Sequence, residues 1–158
     1  MTASTSAQMT CIPLDGPFEA EIRAIDLAVP MEAETFDAIR HAFHQHAVLL
    51  FRDQDLTPAQ HIAFSRRFGA LEEHVQIQFP LPGHPEVFIV SNKSADNKPV
   101  GATNCELCWR SDHSYHALPN LGSLFHAREV PEVGGETLLP TCTRPMKSCS
   151  PCMIFAAW

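Results

Sequence analysis

The sequence predicts an α+β fold built on an antiparallel sheet, and three observations carry that reading. Helical periodicity is confined to two stretches near the N-terminus, the later apolar runs are short, and Pro/Gly/Asp turn signals separate them. At 158 residues the chain has room for one domain and little more.

Residues 11–14 and 19–25 read as short strands broken at the turn signal Asp15-Gly16-Pro17. Over residues 34–47 the apolar positions Phe36, Ile39, Phe43 and Ala47 recur at three- and four-residue steps, an amphipathic helix. Val48-Leu49-Leu50-Phe51 is an apolar run that suits a buried strand, and Arg52-Asp53-Gln54 ends it in a loop. Thr57-Pro58-Ala59-Gln60 is a helix start: Thr57 caps, Pro58 fits the first turn and Gln60 reaches back. That helix should turn Ile62, Ala63 and Phe64 inward and stop near Phe68-Gly69. Residues 80–85 read as a Pro/Gly loop, 87–91 as a strand, and the polar, aperiodic 92–104 as a mobile loop. A strand over 122–128, a turn over 130–135 and the start of a further strand over 136–139 complete the pattern, which contains no internal repeat.

Composition narrows the class. Hydrophobic residues are 45% and charged residues 18%, a globular balance. Eleven Lys and Arg against 18 Asp and Glu give a formal charge of -7, which excludes a binder of nucleic-acid backbone. No apolar run approaches the roughly 18 residues that span a bilayer. Residues 1–9 have neither a basic start nor an apolar centre, so they do not read as a secretory signal. The expectation is a soluble, cytoplasmic protein with no nucleic-acid or membrane partner; a homo-oligomer is left open. Nine His and 6 Cys stand out, and in a cytoplasmic chain cysteine points to metal or redox chemistry before disulfides.

The informative stretch is Trp109-Arg110-Ser111-Asp112-His113-Ser114-Tyr115, followed by Leu121-Gly122-Ser123-Leu124 and Gly134-Gly135-Glu136-Thr137-Leu138. Earlier pieces are Val48 to Gln54, Leu56-Thr57-Pro58, Phe68-Gly69-Ala70-Leu71-Glu72 and Pro82-Gly83-His84-Pro85. In this order and spacing, residues 16–138 resemble the taurine dioxygenase-like family of iron(II)/2-oxoglutarate-dependent dioxygenases. The resemblance implies the N-terminal part of a double-stranded β-helix, or jelly roll, incomplete and with two flanking helices. It also implies iron(II) held by two histidines and one carboxylate, a facial triad that leaves positions open for O₂ and 2-oxoglutarate. The implied reaction decarboxylates 2-oxoglutarate to succinate and hydroxylates a small organic acid.

Carried onto this chain, the resemblance makes Asp112 the carboxylate metal ligand and Thr137 the hydroxyl that binds the 2-oxoglutarate carboxylate. It makes His74 a substrate contact, with Tyr115 lining the same pocket, and no residue is assigned a catalytic role. Each has a plainer alternative on residues alone. Asp112 reads as a loop or strand-end carboxylate in solvent, Thr137 as a strand threonine after a Gly-Gly turn, His74 as a solvated loop histidine, and Tyr115 as packing. One position departs from the family. Arg110 stands where the first metal histidine belongs, and a guanidinium is always protonated and has no lone pair to offer. Two like unit charges about 4 Å apart repel by ~4 kcal/mol at an effective dielectric near 20, and Fe²⁺ carries two charges. His113, adjacent to Asp112, would project to the opposite face of a strand.

His41 and His44 share a helix face, with His46 nearby, but no carboxylate or cysteine accompanies them at useful spacing. They read as a solvated face. The competing class is a zinc or thiol-redox module using Cys105-x-x-Cys108 and Cys149-x-x-Cys152. The 40 residues between those pairs exceed the usual spacing of roughly 15–20. A non-catalytic fragment is the third reading.

The character changes at the end of the match. A choice of codons for an Ala-Asp-Met-Tyr-Ala-Ala-Tyr-Glu-like helix start, typical of the family at this point, reads one base out of register as Pro140 to Met146 followed by a codon beginning AA, which Lys147 satisfies. The expected organisation is therefore a flexible leader and first strand over 1–15, a partial dioxygenase domain over 16–138, and a frameshifted, poorly ordered tail over 139–158. Such a chain would end before the family's second metal histidine and its 2-oxoglutarate-binding arginine, and would be inactive.

Overall fold

A computed structural model describes residues 9–16, 18–72, 78–102, 117, 120–134 and 154–157. In chain order the elements are β1 (Thr10–Pro13), β2 (Glu19–Arg23), α1 (Ala33–His46), β3 (Val48–Phe51), α2 (Pro58–Arg66), β4 (Pro80–Leu81), β5 (His84–Phe88), β6 (Ser94–Ala95), β7 (Lys98–Pro99), β8 (Ser123–His126) and β9 (Ile154–Ala157). They fall into two units, one drawn from Met1–Asp55 and Ser111–Trp158, the other from Leu56–Arg110. The architecture is mixed α/β, with few helices and small sheets.

The first unit holds a five-stranded sheet of order β1-β2-β3-β9-β8. Only β1 and β2 pair antiparallel, with Cys11 opposite Ile22; the other three pairings are parallel. This corrects the expectation of an antiparallel sheet. A parallel neighbour needs a crossover of about a dozen residues or more, and α1 supplies one between β2 and β3. Four residues of the stretch expected to be poorly ordered, Ile154–Ala157, form β9 between β3 and β8. Ile154-Phe155-Ala156-Ala157 is a continuous apolar run, the kind of sequence common in parallel strands.

α1 has no side-chain hydrogen bond at its N-cap, Glu32, so its stability rests on the packing of Phe36, Ile39, Ala42 and Phe43. It contacts β2 and β3. Alternation along those strands puts Ala20, Ile22, Leu49 and Phe51 on one face, and their burial to 2% exposure or less marks the face that α1 covers. Ala47 ends α1 at φ 35°, so the chain turns directly into β3 at Val48.

In the second unit, α2 starts with the capping box read from sequence. Thr57 Oγ1 accepts from the Gln60 backbone N–H at 3.3 Å, and Gln60 Oε1 accepts from the Thr57 N–H at 2.8 Å. The helix ends at Arg66, close to the expected stop. The expected 80–85 loop is instead the turn of a β4–β5 hairpin, which Gly83 permits at φ 81°. Part of the expected 92–104 loop is a second hairpin, β6–β7. Asp96 and Asn97 lie at φ 50° and 59°, the left-handed pair of a type I′ turn, which these side chains tolerate. Gly101 passes so close to Ile89 that an added Cβ would lie 2.8 Å from its carbonyl oxygen and Cγ2. Among the described residues no helix is long and apolar enough to cross a membrane.

Candidate functional site

Among the described residues of the first unit, a cluster of polar side chains lies at the C-terminal ends of β2 and β3. Glu21 on β2 faces away from Ala20 and Ile22, in register with Ile12 of β1 and Leu50 of β3. Its side chain is 5% exposed and receives two hydrogen bonds from Arg23, Nε to Oε1 at 2.9 Å and Nη2 to Oε2 at 2.8 Å. Arg52, the residue after β3, brings its Nε to 3.4 Å from the same carboxylate. The Arg23 hydrogen bond holds the Glu21 carboxyl below the ordinary glutamate range; burial opposes it, and the charges of Arg23 and Arg52 add to it.

Beside this pair, Gln54 ties two loops together. Its Oε1 accepts from the Leu27 N–H at 2.8 Å, while Nε2 donates to the carbonyls of Ile25 at 3.1 Å and Arg52 at 2.8 Å. The Gln54 carbonyl lies 3.1 Å from Nε2 of His126 on β8, so that ring nitrogen carries the proton. From sequence, Arg52-Asp53-Gln54 reads only as a strand-ending loop. A glutamine's three or more bonding sites make it a natural tie between loops, but two of its partners, Leu27 and Ile25, lie 27 and 29 residues away, beyond any local pattern. Glu21 and Arg23 did carry a local signal, since residues two apart on a strand share a face.

In the second unit an open depression of about 540 Å³ is lined by Arg66, Gly69, Ala70, Leu71 and Glu86. Arg66 Nη2 and Glu86 Oε1 bridge it at 2.7 Å, so its wall carries one paired charge of each sign.

All four residues expected in the site lie outside the described residues: His74, Asp112, Tyr115 and Thr137. The same holds for Arg110 and His113, and for the paired cysteines at 105, 108, 149 and 152. His41 and His44 are exposed on α1, as expected of a solvated face. Among the described residues no three His, Cys, Asp or Glu side chains converge as a metal group would need. Cys11 is exposed on β1, and partial burial of its sulfur pushes the thiol up, away from the thiolate that metal binding or redox exchange uses.

Comparison with known proteins places the sequence. A sequence model described as "Taurine catabolism dioxygenase TauD, TfdA family" matches residues 11–143. The chain is 36% identical over 126 residues to an (S)-phenoxypropionate/alpha-ketoglutarate-dioxygenase of Sphingobium herbicidovorans, covering 79% of this chain and 42% of that one. It is 30% identical over 148 residues to a pentalenolactone F synthase of Streptomyces arenae, covering 90% and 49%. The chain thus spans less than half the length of either relative. Among solved structures, one assigned as an alpha-ketoglutarate-dependent taurine dioxygenase from Burkholderia xenovorans superposes with a TM-score of 0.50. It is 36% identical and covers 56% of this chain and 32% of that one.

Proposed function

Because the chain belongs to the TauD, TfdA family, we propose that it is part of an iron(II)/2-oxoglutarate-dependent dioxygenase whose metal-binding motif has lost a ligand. The observation that carries this reading is the family match over residues 11–143, which includes both the Trp109–Tyr115 stretch and Thr137. The reaction class is oxidative decarboxylation of 2-oxoglutarate coupled to hydroxylation of a small organic acid. Relatives named for phenoxypropionate and 2,4-dichlorophenoxyacetate support an acid as the second substrate.

Thr137 would donate its hydroxyl to a 2-oxoglutarate carboxylate, and His74 and Tyr115 would contact the acid substrate. Asp112 offers a carboxylate to a metal. The donor set nevertheless does not fit iron(II) as the family holds it, because Arg110 occupies the first histidine position and its guanidinium donates hydrogen bonds only. No step through a metal is therefore derived for this chain, and it is proposed to be inactive alone.

The test is succinate formation by the full chain supplied with iron(II), ascorbate, 2-oxoglutarate and a panel of aryloxy and aliphatic acids. We expect no succinate above a metal-free control, with or without Arg110→His. Metal-dependent succinate from the unaltered chain would overturn the proposed inactivity. We further propose that residues 139–158 are translated out of frame. Resequencing the coding DNA from codon 105 onward checks this: an open frame that resumes the family pattern after a one-base correction is the expected result, and a confirmed frame with nothing dioxygenase-like beyond it is the contrary one.

A further inference from the structure

We draw no further inference here: the strongest candidate, the exposed apolar surface of Phe125 on β8, an edge strand of the five-stranded sheet, is unpartnered only among the described residues, and nothing in the structure shows what covers it.

Discussion

Replacing Gln54 with leucine removes three side-chain hydrogen bonds while nearly conserving volume, which makes it a direct test of the loop tie. The bonds lost are those from Leu27 N–H at 2.8 Å and to the carbonyls of Ile25 at 3.1 Å and Arg52 at 2.8 Å. The first two are part-buried and the third is exposed. A net value of about 0.5–1.5 kcal/mol for each, weighted down for the exposed bond, gives a loss of about 2 kcal/mol. For a chain of this size that lowers Tm by about 4–8 °C. Backbone conformation makes the case stronger. Ala24 and Asp53 flank the tie at φ 59° and 57°, in the left-handed region that non-glycine residues rarely adopt. The Gln54 side chain bonds the residue after Ala24 and the residue before Asp53, so it holds both turns in place. Equilibrium urea unfolding followed by circular dichroism is the assay, with the m-value checked for constancy. Ala24→Gly serves as a companion of opposite sign, because glycine relieves the strain at a positive φ and should stabilise by about 0.5 kcal/mol. If Gln54→Leu leaves the midpoint where it was, the three bonds contribute nothing net and Gln54 does not tie the loops.

Three further outcomes are expected. Glu21 has a depressed folded pKa, so its stabilisation is present above its unfolded pKa and is lost as pH falls through the folded one. Urea midpoints from neutral pH to below the carboxylate range should therefore fall less steeply in Glu21→Gln than in the parent, and parallel curves would show that the Arg23 pairing is not linked to folding. Thr57→Ala removes the capping box of α2 and should cost about 1 kcal/mol in the same assay, with Thr57→Ser restoring most of it. Phe43, 1% exposed on the face of α1 that packs on the sheet, should cost about 3–5 kcal/mol as Phe43→Ala; a cost under about 1 kcal/mol would mean that α1 does not seal that core.

What is legible in the sequence follows the range of the forces involved. β3 has the bounds its residues predict, Val48–Phe51, because four consecutive large apolar residues ended by Arg52-Asp53-Gln54 are a purely local signal. α1 and the capped start of α2 are legible for the same reason. Sheet order is not. β3 pairs with β2 across a helix and with β9 from the far end of the chain, and nothing in a strand's own residues names its partner. The β6–β7 turn escapes a sequence reading because Asp96-Asn97 lacks the glycine that usually marks two successive left-handed residues.

The candidate site inverts that relation between locality and certainty. Its residues are read from a motif, and where Asp112 and Thr137 sit relative to one another is a question of long-range geometry that no local pattern answers. The exclusion of Arg110 as a ligand is different in kind. A guanidinium keeps its proton at any pH a protein tolerates, and all of its nitrogen valences are spent on donors or on the delocalised cation. No rotamer, strand register or burial gives it a lone pair for a metal, and burial beside a divalent cation would only strengthen the repulsion. The exclusion of Arg110 as a ligand therefore holds for every conformation the segment adopts. The exclusion of His113 rests instead on strand alternation, so His113→Ala in an Arg110→His background separates chemistry from geometry. If Arg110→His binds iron(II) and loses nothing on the second change, alternation is upheld. If iron(II) binding instead depends on His113, the segment is not a regular strand and alternation does not decide its ligands.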